Sequence, residues 1–373
     1  MINSSNYSLI PSAKTLSHVL QIAGCAFLVP LAIRNFFSQN FKHIDKSTIV
    51  IGLLILAGVI SFFVTRNKVI VYTVVLILSS INMPFDKIVK TALISQVLSL
   101  AFVLISFNMG IIVETIAHRG SAVRHSLGTA SPNYLMYSVF TIVVNFLIML
   151  RKDNRWRIVG PLASALLLIY FYTITGSRAG VIAGFVAIFL YLFRSFSVLP
   201  KILNKIKVLI LLLPSLLLAA SLIITVLYSV LDLKALNATL SNRLELQKTA
   251  YETWGITIFG NNITYIGQSH EAEVSEEYNY IDNSFLHVLF NCGALYLVAL
   301  LAYLALMTKR LYSNEEYFLI SVFIVFLIYC SFDSWLFAVM GNILLLYNNS
   351  GCSKRNGVMS TTKAKRFNSV HLF

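Results

Sequence analysis

Arg119, Arg124, Arg178 and Arg243 stand in short polar stretches between long apolar runs, and Asp282, Asn283 and His287 stand where the chain leaves the longest of those stretches. A guanidinium is planar and permanently charged, and its donors are spaced to grip a phosphate or carboxylate at two points. Several of them on one side of a membrane suit an anionic leaving group such as a phosphate or diphosphate, whose developing charge fixed cations stabilise. An Asp, Glu or His within reach could take the proton of an attacking hydroxyl. The combination points to group transfer from a lipid-linked donor.

Each residue also has a plainer reading. Arg178 lies in Thr175-Gly-Ser-Arg-Ala-Gly180, a tight turn between two apolar runs with no acid in it. An ionisable group near bilayer depth costs a few kcal/mol and is a functional candidate by default, although a snorkelling interfacial arginine is the alternative. Arg119 and Arg124 share the stretch Asn108 to Pro132 with Glu114, His118 and His125; they read equally as ligands or as solvated loop cations. Arg243 opens an amphipathic stretch, Leu244 to Trp254, where a plain helix-surface arginine is the alternative. Asp282 and Asn283 also suit an ordinary helix cap. His287 lies about a turn and a half deeper, where it needs a cavity or a partner. Glu276 and Glu277 read as solvated, and Asp333 as a structural partner of an arginine.

The elements that must position these groups follow from composition. The 373 residues are 57% hydrophobic and 12% charged, with mean hydropathy +0.78. A soluble domain carries about a quarter charged residues, so the chain reads as a polytopic membrane protein. Its apolar runs have helix-spanning length and lack the alternation of a barrel strand. The expected fold is all-α, with about 11 (10–12) spans near 17–37, 48–65, 69–84, 91–107, 133–150, 158–174, 179–193, 208–230, 284–307, 317–332 and 335–347. Residues 1–348 form one transmembrane domain that includes the long loop 231–283, and 349–373 form a basic tail.

Orientation follows from the cations. With the tail inside, 20 of the 29 basic residues but only 5 of the 15 acids fall on the cytoplasmic side. The loop 231–283, which carries Arg243, Asp282 and Asn283, is then extracytoplasmic. The same walk leaves the first residues and the Arg66–Lys68 turn outside, which a re-entrant segment before residue 107 would change. Net charge +14 is therefore mainly an orientation signal in a cell-membrane protein, and no nucleic-acid partner is expected. No cleavable leader is expected. The cysteines 25, 292, 330 and 352 are scattered, there is no C-x-x-C or H-E-x-x-H, and neither metal nor cofactor is expected.

Three blocks resemble the O-antigen and capsular polysaccharide polymerase family, which shares a superfamily with the O-antigen ligases. They are Arg124-His-Ser-Leu-Gly-Thr-Ala-Ser-Pro-Asn133, the Thr175 to Gly180 turn, and the long loop with Asn242-Arg243, Phe259-Gly260 and Asp282-Asn-Ser-Phe-Leu to Gly293. The resemblance covers about 85 to 345. It implies a metal-independent, inverting glycosyltransferase that moves a polyprenyl-diphosphate-linked glycan onto a sugar hydroxyl of a lipid-linked repeat unit at the outer membrane face. It implies that Arg178 and Arg243 hold diphosphate or sugar, with Arg124 helping, and that a chain-length regulator protein is a further partner. Ligases place His-Asn where this chain has Asp282-Asn283, a departure that favours the polymerase and leaves Asp282 and His287 both open as the base. The alternatives are an O-antigen-type ligase and, in a different class, a flippase of lipid-linked oligosaccharides. A flippase is expected to carry charge deep in its spans, inverted repeats and short loops.

Overall fold

Apolar runs that must satisfy their own backbone in lipid have little choice but the helix. The computed structural model describes residues 5–37, 46–81, 83–119, 121–228, 230–231, 233–266, 279–336 and 341–347. Helices α1 (Pro11–Phe37), α2 (Lys46–Thr65), α3 (Lys68–Ser79) and α4 (Phe85–Asn108) are followed by a two-stranded hairpin, β1 (Ile116–Arg119) and β2 (Ala122–His125). Then come α5 (Pro132–Leu150), α6 (Val159–Thr175), α7 (Arg178–Phe193), α8 (Val198–Lys205) and α9 (Lys207–Leu227). Next lie α10 (Lys234–Thr239) and α11 (Arg243–Trp254), and α12 (Ser284–Cys292), α13 (Ala294–Ser313) and α14 (Tyr317–Cys330) follow.

Among the described residues, six helices are long and apolar enough to cross a membrane: α1, α2, α4, α5, α9 and α13. Shorter apolar helices, α3, α6 and α14, occupy three more of the expected spans, and α7 a fourth. The chain is a helical membrane protein. The central post is α5, with 72% of its apolar window enclosed against 11% for α1. Close approach of α7 to its neighbours relies on small residues: a Cβ at Gly180 would stand 2.8 Å from Met136 Cγ of α5, and one at Gly184 2.5 Å from Leu168 Cδ1 of α6.

Two expected spans differ. The run 284–307 is broken at Gly293 into α12 and α13. Gly293 has φ +89°, and an added Cβ there would lie 2.3 Å from the Gly260 amide nitrogen. The crossing is held by Ala294 N–H to Thr257 O (2.9 Å), Leu295 N–H to Ile258 O (3.0 Å) and Asn261 N–H to Phe290 O (3.1 Å). The long loop therefore docks on the elbow and satisfies helix-end groups that a continuous helix would have paired internally. The run 335–347 contains no α-helix among its described residues; 343–346 make one 3-10 turn, and 341–347 are buried throughout. Tyr303 donates to Leu345 O (2.6 Å) and the Phe85 ring meets Tyr347, so other helices enclose this irregular segment. Non-helical backbone is tolerated at membrane depth only under such cover.

The two ends of the bundle differ in chemistry. At one, Asn6 and Tyr7 join the loop around the hairpin, through Asn6 Nδ2 to Val113 O (2.8 Å) and Tyr7 Oη to Ser106 Oγ (2.6 Å). The residues before α1 thus share an end with Arg124. At the other, Arg151 pairs with Asp86 (2.7 Å) and Glu316 (3.2 Å).

Candidate active site

The turn before α7 begins with Gly176 at φ +57°, a left-handed cap to α6. Arg124, 5% exposed, reaches this turn from β2. Its Nε donates to Thr175 O (2.7 Å) and its Nη2 to Asn133 Oδ1 (2.6 Å). The guanidinium expected to hold substrate therefore ties the end of α6 to the start of α5. Arg178 opens α7 one turn further on, exposed, with no hydrogen bond or ion pair among the described residues.

Arg243 is presented by an unusual helix start. Ser241 and Asn242 both have positive φ (57° and 63°), which costs a non-glycine residue about 1–2 kcal/mol. Buried Asn237 of α10 holds the bend: its Oδ1 accepts from Leu244 N (3.1 Å) and Glu245 N (3.3 Å), and its carbonyl accepts from Asn242 N (2.9 Å). No motif in the sequence signals Asn237. Arg243 Nε then meets Asp282 Oδ2 at 2.8 Å, each side chain 16% exposed, and its Nη1 donates to the Phe332 carbonyl.

Asp333, next along from Phe332, is the functional candidate that sequence reasoning set aside. It is buried, and its Oδ2 accepts from Tyr329 Oη (3.1 Å). Burial raises the Asp282 carboxyl above its ordinary range, and Arg243 offsets part of that rise. Asp333 is pushed up to about 7, first by burial and then by the charge of Asp282, with Arg243 opposing. Asp282 pairs directly with the guanidinium, whose charge also acts on Asp333, and the two carboxyls together can keep or release a proton near neutral pH.

The other residues at the re-entry point have different places. Asn283 caps α12, accepting from Phe285 N (3.0 Å) and Leu286 N (3.1 Å), and donates to Ser221 Oγ (2.8 Å) and Ser331 O (3.0 Å). Its amide is spent on the fold, as the cap reading expects. His287 stacks on Tyr265 (4.5 Å, 21°) beside Tyr280 (5.8 Å), and its Nδ1 is buried without a partner among the described residues. It does not line the cleft that takes Arg178, Arg243 and Asp333. Arg119 places its backbone opposite Ala122, while its side chain lies outside the described residues. So do Glu276, Glu277 and the tail 349–373.

That cleft has a volume of about 670 Å³. Its head is polar, with Asn133, Ser177, Arg178, Ser241, Arg243 and Asp333, and its walls are Ile182 and Val186 of α7 and Val325 and Ile328 of α14. Ile182 is 61% and Ile328 47% exposed, so the apolar part opens sideways between the two helices.

No family model, curated protein or solved structure matches the chain.

Among the described residues no group of three or more His, Cys, Asp and Glu is placed to hold a metal ion. The cleft offers one guanidinium with no partner among the described residues, a second paired with a carboxylate, a carboxyl raised towards neutral pH, and an apolar slot between α7 and α14. Such a set can bind an anion at the end of a hydrocarbon chain and manage one proton beside it.

Proposed function

We propose that this chain is a repeat-unit polysaccharide polymerase: a metal-independent, inverting glycosyltransferase of the cell membrane whose donor is a glycan on polyprenyl diphosphate. The observation that carries the reading is the joint placement of Arg178 and Arg243 at the head of one cleft whose apolar walls open between α7 and α14. The loop 231–283 faces the extracytoplasmic side, in keeping with the cations crowded at the other end of the bundle. Six helices are long and apolar enough to cross, seven if α7 and α8 count as one bent span, and a count near eleven would need the shorter apolar helices to cross as well.

The diphosphate lies between the two guanidiniums and the prenyl chain along Ile182, Val186, Val325 and Ile328. Arg243 enters this state only by exchanging Asp282 for a phosphate oxygen, because the two carriers of negative charge compete for the same fork of donors. The freed carboxylate is then one candidate base beside the cleft, and Asp333 in its lining is the other. An acceptor hydroxyl oxygen forms a bond to the anomeric carbon as the bond from that carbon to the phosphate oxygen breaks. The diphosphate leaves with the electron pair, and Asp282 or Asp333 takes the hydroxyl proton. Fixed cations stabilise the charge growing on the leaving group. Arg124 holds the Arg178 turn in place, and a chain-length regulator acts as a membrane partner.

The test is reconstitution with a lipid-diphosphate-linked repeat unit. Wild type should give a ladder of long glycans, and Arg178→Ala should leave single repeat units on the carrier. Arg178→Lys should also fail, since a compact ammonium cannot make the two-point contact. A wild-type ladder from Arg178→Ala would refute the assignment, and transfer of one preformed glycan without growth would make the chain a ligase.

A further inference from the structure

The bundle end opposite the cleft carries a surface that the proposed reaction does not use. There α7 gives way to α8, whose axis turns by 116° from that of α7. If α7 crosses the bilayer, α8 lies near the plane of the headgroups. One side of α8 is anchored: Leu203 is buried with its carbonyl taking the Tyr312 hydroxyl (2.8 Å), and Asn204 Nδ2 donates to Tyr317 Oη (3.1 Å). The other side presents Lys201, Ile202 and Lys205 to the outside. The neighbouring turn, Asn154–Trp156, joins the same surface through Arg157, whose guanidinium lies 5.9 Å from the centre of the Phe196 ring.

Two features distinguish this surface from an ordinary polar face. Among the described residues Arg155, Arg157, Lys201 and Lys205 make no ion pair, whereas nearby Arg151 is fully engaged with Asp86 and Glu316. Apolar side chains also stand exposed between these cations: Trp156 at 45%, Phe196 at 49% and Ile202 at 52%. Free phosphate would match the cations alone. A phospholipid matches both, because its phosphate sits directly above acyl carbon that exposed rings and isoleucine can enter.

We propose that α8 and the Asn154–Trp156 turn form a binding surface for anionic phospholipid headgroups, at the end of the bundle opposite the cleft. The surface stands apart from the cleft, so its ligand is independent of the polymerase reading. Each cation near a membrane surface is worth roughly fivefold in the partition of an acidic lipid.

The experiment is native mass spectrometry of the full chain from micelles holding equal amounts of phosphatidylglycerol and phosphatidylcholine. Wild type should retain phosphatidylglycerol preferentially. A variant with Arg155→Gln, Arg157→Gln, Lys201→Gln and Lys205→Gln should lose that preference by at least about tenfold. Lys87→Gln with Lys90→Gln, on exposed α4 positions at the same end, should keep it. Equal retention of both lipids by wild type would overturn the proposal. So would an equal loss per charge in the α4 variant, which would mean a diffuse basic face. Displacement of the lipid by millimolar inorganic phosphate would also overturn it, by making the site one for a free anion. Should the fourfold variant fail to fold, Lys201→Gln and Arg157→Gln singly must each lower the preference.

Discussion

Asp282→Asn separates two roles that the same ion pair could play. The Asp282 carboxylate lies 2.8 Å from Arg243 Nε, and both side chains are largely enclosed. Two unit charges about 4 Å apart attract by about 4 kcal/mol at an effective dielectric near 20, before desolvation is counted. A diphosphate that binds Arg243 must displace this interaction. If a third to a half of it survives the desolvation terms, relieving the competition is worth about 1–2 kcal/mol, or roughly five- to thirtyfold in affinity. Asparagine keeps the size of aspartate and removes its charge, and Arg243 retains its bond to the Phe332 carbonyl. Binding of a short-chain prenyl diphosphate to Asp282→Asn, measured by calorimetry in detergent, should therefore tighten by that factor, while loss of glycan transfer would assign the hydroxyl proton to Asp282 and retained transfer would assign it to Asp333. Weaker or unchanged binding would refute the exchange and make Asp282 a support that aims Arg243. Failure of wild type to bind the diphosphate would instead sink the functional proposal itself.

Two other substitutions test the rest of the cluster. Asp333 has its folded-state carboxyl raised to about 7, against an ordinary value of about 3.9. The folded protein then binds more protons than the unfolded chain between those limits, so its contribution to stability is present at low pH and is lost as pH rises towards 7. Melting profiles in detergent should show Asp333→Asn gaining on wild type as pH rises from 5 to 8, and parallel profiles would contradict this. His287→Phe keeps the stack on Tyr265 and removes the nitrogens; turnover and its pH profile should be unchanged, and loss of the acidic limb would put the base at His287 after all.

Much of this arrangement was legible in local sequence. Apolar runs marked the helices closely, with 133–150 against Pro132–Leu150 and 208–230 against Lys207–Leu227. Arg178, Arg243 and Asp282 stood out because charge is rare in such a chain; the two arginines line one cleft, and Asp282 pairs with Arg243 without lining it. What escaped depends on contacts distant in sequence. The break at Gly293 exists because Gly260, 33 positions earlier, crosses it at backbone distance. Arg124 looked available until Thr175 and Asn133 took its donors. Asn237 has no signature at all, since its work is to hold two left-handed residues that follow it. Asp333 lacked a motif, and its place beside Arg243 is set by the end of α14, not by its neighbours in the chain.

The most direct measurement of the central claim is photocross-linking with a polyprenyl diphosphate analogue that carries a diazirine in its first isoprene units, the adducts being mapped by peptide mass spectrometry. Adducts should fall on α7 and α14 around Ile182 and Ile328 and should vanish with excess unlabelled diphosphate carrier or in an Arg178→Ala, Arg243→Ala variant. Adducts concentrated on α1 to α3 instead, or unchanged in that variant, would contradict the account.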